Sequence, residues 1–179
     1  MHKTNASMLK LILCLTILLL ATGIGFLITS QYRNRVHHLQ ELITAMDLLE
    51  SEMIYRKDPL AVISASISRQ GLGLASKLFS LISIRLELYP DQDLRSHWLQ
   101  GVEEVYGDTS LLAADLSILQ GLGSQLGRSG MEGQKLMVQN QRRLLEHQLS
   151  DAREIQMRKS KVIQSLATAG GILLVILLI

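Results

Sequence analysis

Residues 11–29 read LILCLTILLLATGIGFLIT, a run without a single charged side chain. At about 1.5 Å per helical residue it reaches roughly 28 Å, the thickness of one hydrocarbon core. His2, Lys3 and Lys10 precede it, and Arg33 and Arg35 follow. The pattern predicts an N-terminal transmembrane anchor over residues 1–30. A cleaved signal peptide, with Ala21-Thr22-Gly23 as its small-residue site, ranks second, because apolar residues continue to Ile28 ahead of the flanking arginines. Cys14 follows the bulky Leu13 after only a short apolar lead-in, which does not suit a lipidated cysteine. It reads as apolar filler in a membrane helix.

The other end mirrors this one. Val162–Ile179 is a second apolar run of roughly 27 Å, although Gln164, Ser165 and Thr168 leave a tilted or shallow insertion open. Arg158-Lys159-Ser160-Lys161 stands directly before it and no charge follows. The positive-inside rule keeps that cluster in the cytoplasm. Two spans with residues 31–161 as a cytoplasmic domain satisfy the stronger of the two charge signals.

Composition agrees with a helical membrane protein. Of 179 residues 47% are hydrophobic, and only two are proline. A lone cysteine excludes an intramolecular disulfide framework. The formal charge of +2 comes from Lys3 and Lys10, since the 16 remaining basic residues balance 16 acidic ones. There is no basic excess of the kind that binds nucleic acid. The charges are nevertheless segregated: basic residues crowd toward the C-terminal run, and Glu87–Asp115 holds seven acids against Arg95 alone.

Between the anchors the periodicity predicts about six helices. Leu39, Leu42, Ile43, Met46, Leu49 and Met53 form one apolar stripe over Arg35–Lys57. Asp58-Pro59 reads as an N-cap with proline at the first helical position, opening a short helix Pro59–Arg69 that stops at Gly71-Leu72-Gly73. Further helices follow over Leu74–Leu88 and Leu94–Tyr106. Asp108 or Thr109 is the expected cap of a fifth helix, Ser110–Leu126, that buries Leu112, Leu116, Leu119, Leu122 and Leu126. A long polar helix, Met131–Lys161, carries the narrow stripe Val138, Leu145, Leu149 and Ala152. The expected architecture is an all-α cytoplasmic bundle flanked by two transmembrane segments, 1–30 and 162–179.

No catalytic signature accompanies it. The phosphate-binding, zinc-protease and nucleophile-elbow patterns are all missing from the sequence. Gly121-Leu122-Gly123 is followed by Gly127, one position too late for a dinucleotide loop and in a helical context, so it reads as helix packing and termination. His37 and His38 project about 100° apart on a helix and make a poor joint metal site; a solvated pair is expected. His97 and His147 lack ligand partners at recognisable spacing and read as surface or partly packed. Glu50 falls at the edge of the Met46/Met53 stripe and needs a partner, whereas Glu52 should point well away. Ala21/Gly25 and Ala167/Gly171 give each apolar run a small-xxx-small pair that permits close helix approach.

Leu48-Leu49-Glu50-Ser51-Glu52-Met53-Ile54-Tyr55, then Asp58-Pro59-Leu60, resembles the signature of the stage III sporulation protein AB family. The resemblance returns at Leu126-Gly127-Arg128-Ser129, at Gln134 and Lys135, and in the terminal run from Gly171 to Ile179. It implies a membrane complex between mother cell and forespore of an endospore-forming bacterium. It also implies a bundle similar to one cytoplasmic domain of the F-type platform protein of type II secretion machines. The chain departs from such platforms in having one domain rather than two.

On this resemblance the expected role is a non-enzymatic scaffold in the mother-cell membrane around the forespore. It would join other proteins of the stage III channel complex to a cytosolic ATPase, with no cofactor and no small-molecule substrate. Glu50, Glu52, Tyr55, Pro59 and Gln134 are the candidate structural or interaction residues. Glu103, Glu104 and Asp108, in the acidic stretch, are the candidate docking residues, expected far from the lipid because the chain must run outward and return. The alternative is a membrane-tethered regulatory or signalling module.

Overall fold

Leu39, Leu42, Met46 and Leu49 are wholly buried in the computed structural model and Met53 nearly so, as one helix face spaced by threes and fours requires. The structure describes residues 2–55, 58–126 and 131–178, without the side chains of residues 2–14, 17, 18, 21, 22, 131, 164, 167, 174, 175, 177 and 178. Every regular element among them is helical: α1 His2–Tyr55, α2 Leu60–Ser68, α3 Gly73–Leu88, α4 Leu94–Tyr106, α5 Ala113–Gln125 and α6 Met131–Leu178. Neither apolar run is a separate helix. With no proline near Arg33 or Lys161 to interrupt the backbone, α1 and α6 continue through both junctions.

The chain divides into two units, Arg35–Asp151 and a second made of Met1–Asn34 with Ala152–Ile179. Among the described residues no helix is long and apolar enough to cross a membrane. Leu11–Thr29 and the final apolar run each include side chains that lie outside those residues.

Within Arg35–Asp151, α2 packs on α3, α3 on α4 and α4 on α5. The largest buried side chains include Trp98, Tyr106 and Phe79. Phe79 and Trp98 meet edge to face at 5.7 Å, the arrangement favoured by aromatic quadrupoles. Trp98 Nε1 donates to the Leu119 carbonyl at 2.7 Å, which tethers α4 to α5 and leaves no buried indole N–H unpaired. Across the same helix pair Gly123 faces the indole so closely that a Cβ would collide with Trp98. The stripe on α6 is buried at Val138, Leu145 and Leu149, joined by Met137; Ala152, which belongs to the other unit, is buried too.

Two helix starts differ from the sequence expectation. Pro59 is the N-cap of α2 rather than its first residue, and its carbonyl accepts from Val62 and Ile63 at 2.9 and 3.1 Å. α5 begins at Ala113, three residues later than expected, so Leu112 precedes the helix and is half exposed. Asp115 takes the buried place near this terminus. The expected stop at Gly127 lies outside the described residues.

Candidate functional site

Two polar assemblies, one buried and one partly buried, organise the domain, and neither is visible in local sequence. The first joins three helices. Arg35 Nε and Nη2 donate to the two carboxylate oxygens of Asp115 at 2.8 and 2.9 Å, and Nη2 also donates to Gln148 Oε1 at 2.9 Å. Arg35 is 6% exposed and Asp115 fully buried. The Asp115 carboxylate also accepts the Leu112 backbone N–H at 2.8 Å, so it caps α5 while neutralising Arg35. Leu112 has no side-chain acceptor to return the bond. Arg35 is therefore an internal clasp and not a solvated flank of the anchor.

The second assembly places the Glu41 carboxylate from α1 at the start of α3. Its Oε2 accepts from the Leu74 backbone N–H at 3.3 Å, one of the donors a helix N-terminus leaves open. Gly73 has φ +51° and its missing Cβ makes room for Glu41; any larger residue would collide with that carboxylate. His37 Nε2 lies 3.0 Å and His38 Nδ1 3.5 Å from Glu41. The expected solvated histidine pair is thus half right: His37 is exposed, but His38 is mostly covered and packs edge-on against Tyr106 at 6.4 Å. Tyr106 is fully buried and its hydroxyl finds no hydrogen-bond partner among the described residues. Burial pushes its phenol pKa up, and the nearby Glu41 carboxylate pushes it further.

The residues of the sequence signature fall mainly along α1 and α6. Glu50 is half-buried and accepts from Gln139 Nε2 at 2.6 Å. Three residues back on α1 and three onward on α6, Asp47 accepts from Arg142 at 3.0 Å, as an antiparallel pairing requires. Glu52 points off the α1 stripe, as its position suggests, without being the solvated carboxylate expected there. It is half-buried toward α2, where Ser66 Oγ donates to it at 3.1 Å. Tyr55 is 83% exposed, Pro59 is exposed and Gln134 is half-buried. Gly127, Arg128 and Ser129 lie outside the described residues.

Glu103, Glu104 and Asp108 are exposed, with Glu104 accepting from Arg85 at 2.7 Å. Their stretch does not lie wholly at the far end of the outward helix. Tyr106 comes back to His38 and Asp115 to Arg35, so its C-terminal half ends where the chain enters the domain. A cleft of about 350 Å³ beside Glu104 is lined by Ser68, Lys77, Ser80 and Ile84 among others. His97 is buried, its Nε2 3.1 Å from the Tyr89 carbonyl, which fixes Nε2 as the protonated nitrogen. His147 is exposed beside Asp151. Among the described residues no group of three or more His, Cys, Asp or Glu is placed to hold a metal ion. The arrangement is one of clasps and caps presenting a charged surface.

Comparison with known proteins agrees with this architecture. Residues 10–179 match the family model of stage III sporulation protein AB. The stage III sporulation protein AB of Bacillus subtilis (strain 168) is 30% identical over 171 residues, which cover 96% of this chain and 99% of that protein. A solved structure of a stage III sporulation protein AB is 26% identical, with a TM-score of 0.64 over 70% of this chain and 98% of the solved one. The chain belongs to the stage III sporulation protein AB family.

Proposed function

We propose that this protein is a non-enzymatic scaffold of the stage III sporulation channel complex, held in the mother-cell membrane by both ends. Residues 31–161 form its cytoplasmic part and couple the membrane machine to a cytosolic ATPase. The family match carries this reading. It is supported by the two terminal apolar runs, by the positive cluster Arg158-Lys159-Ser160-Lys161, and by a bundle whose interior is committed to packing and clasps.

The exposed acids Glu103, Glu104 and Asp108 dock a basic face of the partner, for which opposite charge supplies steering and register. Glu50 and Gln134 shape the α1–α6 side of the scaffold and Glu52 and Pro59 its junction with α2, while Tyr55 is open for contact. Co-purification of the ATPase with a Glu103→Lys, Glu104→Lys, Asp108→Lys variant tests the docking surface. Loss of the partner from a folded variant supports it. Retention with unchanged salt sensitivity places docking elsewhere, and a soluble regulator as sole partner replaces the scaffold by a signalling module.

Topology is tested separately with a single cysteine at the exposed Ser96 in a chain lacking Cys14. A membrane-impermeant thiol reagent should label it only after the cells are opened. Labelling of intact cells overturns the cytoplasmic placement.

A further inference from the structure

Among its described side chains, the unit formed by Met1–Asn34 and Ala152–Ile179 leaves large aliphatic residues exposed. Leu19, Leu20, Ile24 and Leu27 are 58–66% exposed, and Leu166, Leu173 and Ile176 are 65–69% exposed. Gly25 and Gly171, by contrast, are buried. Helical glycine is not buried by default here: Gly23 and Gly170 are exposed, and a Cβ built on either meets no atom within 4 Å. Gly23 and Gly25 point about 200° apart around α1, and Gly170 and Gly171 about 100° apart around α6. Each helix therefore has an open face and a covered one. Lys159 Nζ stands 5.7 Å from the centre of the Tyr32 ring, so the two segments touch within this unit. From that contact Gly25 lies seven residues along α1 and Gly171 twelve along α6, about 10 and 18 Å away along the helix axes.

We infer that the two apolar segments pair as an intramolecular helical hairpin in the bilayer, through the faces carrying Gly25 and Gly171, with their aliphatic side chains turned to lipid. The inference rests on the membrane reading above and names the partner of each span. Water would drive the leucines inward and leave glycine outside; lipid tails reward neither. Helices in hydrocarbon associate by close backbone approach instead, which small residues permit. Tyr32 and Lys159 then stand at headgroup level, where an amphipathic ring and a long ammonium side chain are both accommodated. Ala21 and Ala167, the other half of each small-residue pair, lie outside the described side chains.

The test uses the full-length chain in membranes, with Cys14→Ser, Tyr32→Cys and Lys159→Cys, and a protease site in the exposed turn at Asp91. After treatment with a short bis-maleimide, whose span covers the reach of the two lost side chains, and cleavage, an intramolecular thioether link holds the two fragments together at monomer mass. Gly25→Leu or Gly171→Leu should reduce this product several-fold, while Gly23→Leu should leave it unchanged. A product of twice the mass makes a second copy the partner and overturns the hairpin. So does no cross-link in a chain that resists alkaline carbonate, or an equal response to Gly23→Leu and Gly25→Leu. Extraction by carbonate sinks the membrane reading itself, and the hairpin with it.

Discussion

Arg35 and Asp115 stand 80 residues apart in sequence and meet in a two-point ion pair, with the guanidinium 6% exposed and the carboxylate wholly buried. The pair binds the first turn of the domain on α1 to the start of α5, and through Gln148 to α6. Its energetic meaning lies in what happens when one half is removed. Two charges withdrawn from water cost several kcal/mol each, and their attraction offsets this only while both are present.

Arg35→Ala in the excised segment 31–161 should therefore lose about 3–5 kcal/mol, because Asp115 would remain buried without its cation. Arg35→Met with Asp115→Asn should recover most of that loss, since Asn retains an acceptor for the Leu112 N–H. Urea midpoints of the three proteins decide the matter; a double variant no better than the single one refutes the clasp. The segment itself should fold mostly helical without metal, an expectation helped by the shorter solved relative, which matches 70% of this chain. Helicity by circular dichroism that falls on adding chelator would refute it.

Tyr106→Phe should be neutral or stabilise by about 1 kcal/mol, because the buried hydroxyl has no partner among the described residues. The sign of the pH effect follows from the phenol. Its ordinary pKa is 10.0 and folding raises it, so the folded state holds this proton longer than the unfolded one. That contribution is complete below pH 10.0 and is lost as pH rises above it, because only the unfolded chain then gains by ionising. The Phe variant should withstand alkaline unfolding to higher pH than the parent. Identical alkaline midpoints would show that Tyr106 is not the group responsible.

Much of the bundle was legible because helices are local objects. The stripe from Leu39 to Met53 has one period, and α4 spans Leu94–Tyr106, the range its sequence predicts. The clasps were not legible, since nothing near Arg35 indicates that its carboxylate lies in α5. Position after an apolar run made the arginine look like a headgroup contact. Glu52 misled differently: its angle from the α1 stripe was read correctly, but α2 covers that second face and supplies Ser66. The late start of α5 came from the same blindness, because Asp115 caps from within the helix rather than from Asp108 or Thr109 ahead of it.

Gly73→Ala should cost clearly more than Gly71→Ala. Both glycines have positive φ, +70° at Gly71 and +51° at Gly73, so each substitution carries backbone strain of about 1–2 kcal/mol. Space distinguishes them. A Cβ at Gly71 meets nothing within 4 Å, whereas one at Gly73 must displace the Glu41 carboxylate from the α3 terminus. Expelling that cap adds about 1 kcal/mol. In a Glu41→Ala background the two glycine variants should become alike. A difference that survives Glu41→Ala would show that the collision is not with this carboxylate.

Gly123→Ala offers the most direct optical test, because Trp98 is the sole tryptophan. Gly123 lies on α5 against the indole, and Leu119, one turn earlier, receives its N–H at 2.7 Å. Alanine is the better helix former, so in open space the change would stabilise by about 0.5–1 kcal/mol. Here the new methyl must push the ring away from both its hydrogen bond and Phe79, and overpacking of this kind costs about 1–3 kcal/mol. The cost should exceed the helical gain, with a changed Trp98 emission maximum and weaker near-ultraviolet circular dichroism. Gly121→Ala is the control: its Cβ would meet only the end of Gln141, at 3.5 Å, so the helical gain should appear without any change at Trp98. If Gly123→Ala stabilises the domain and leaves the Trp98 spectrum untouched, the contact between α4 and α5 is looser than this packing requires.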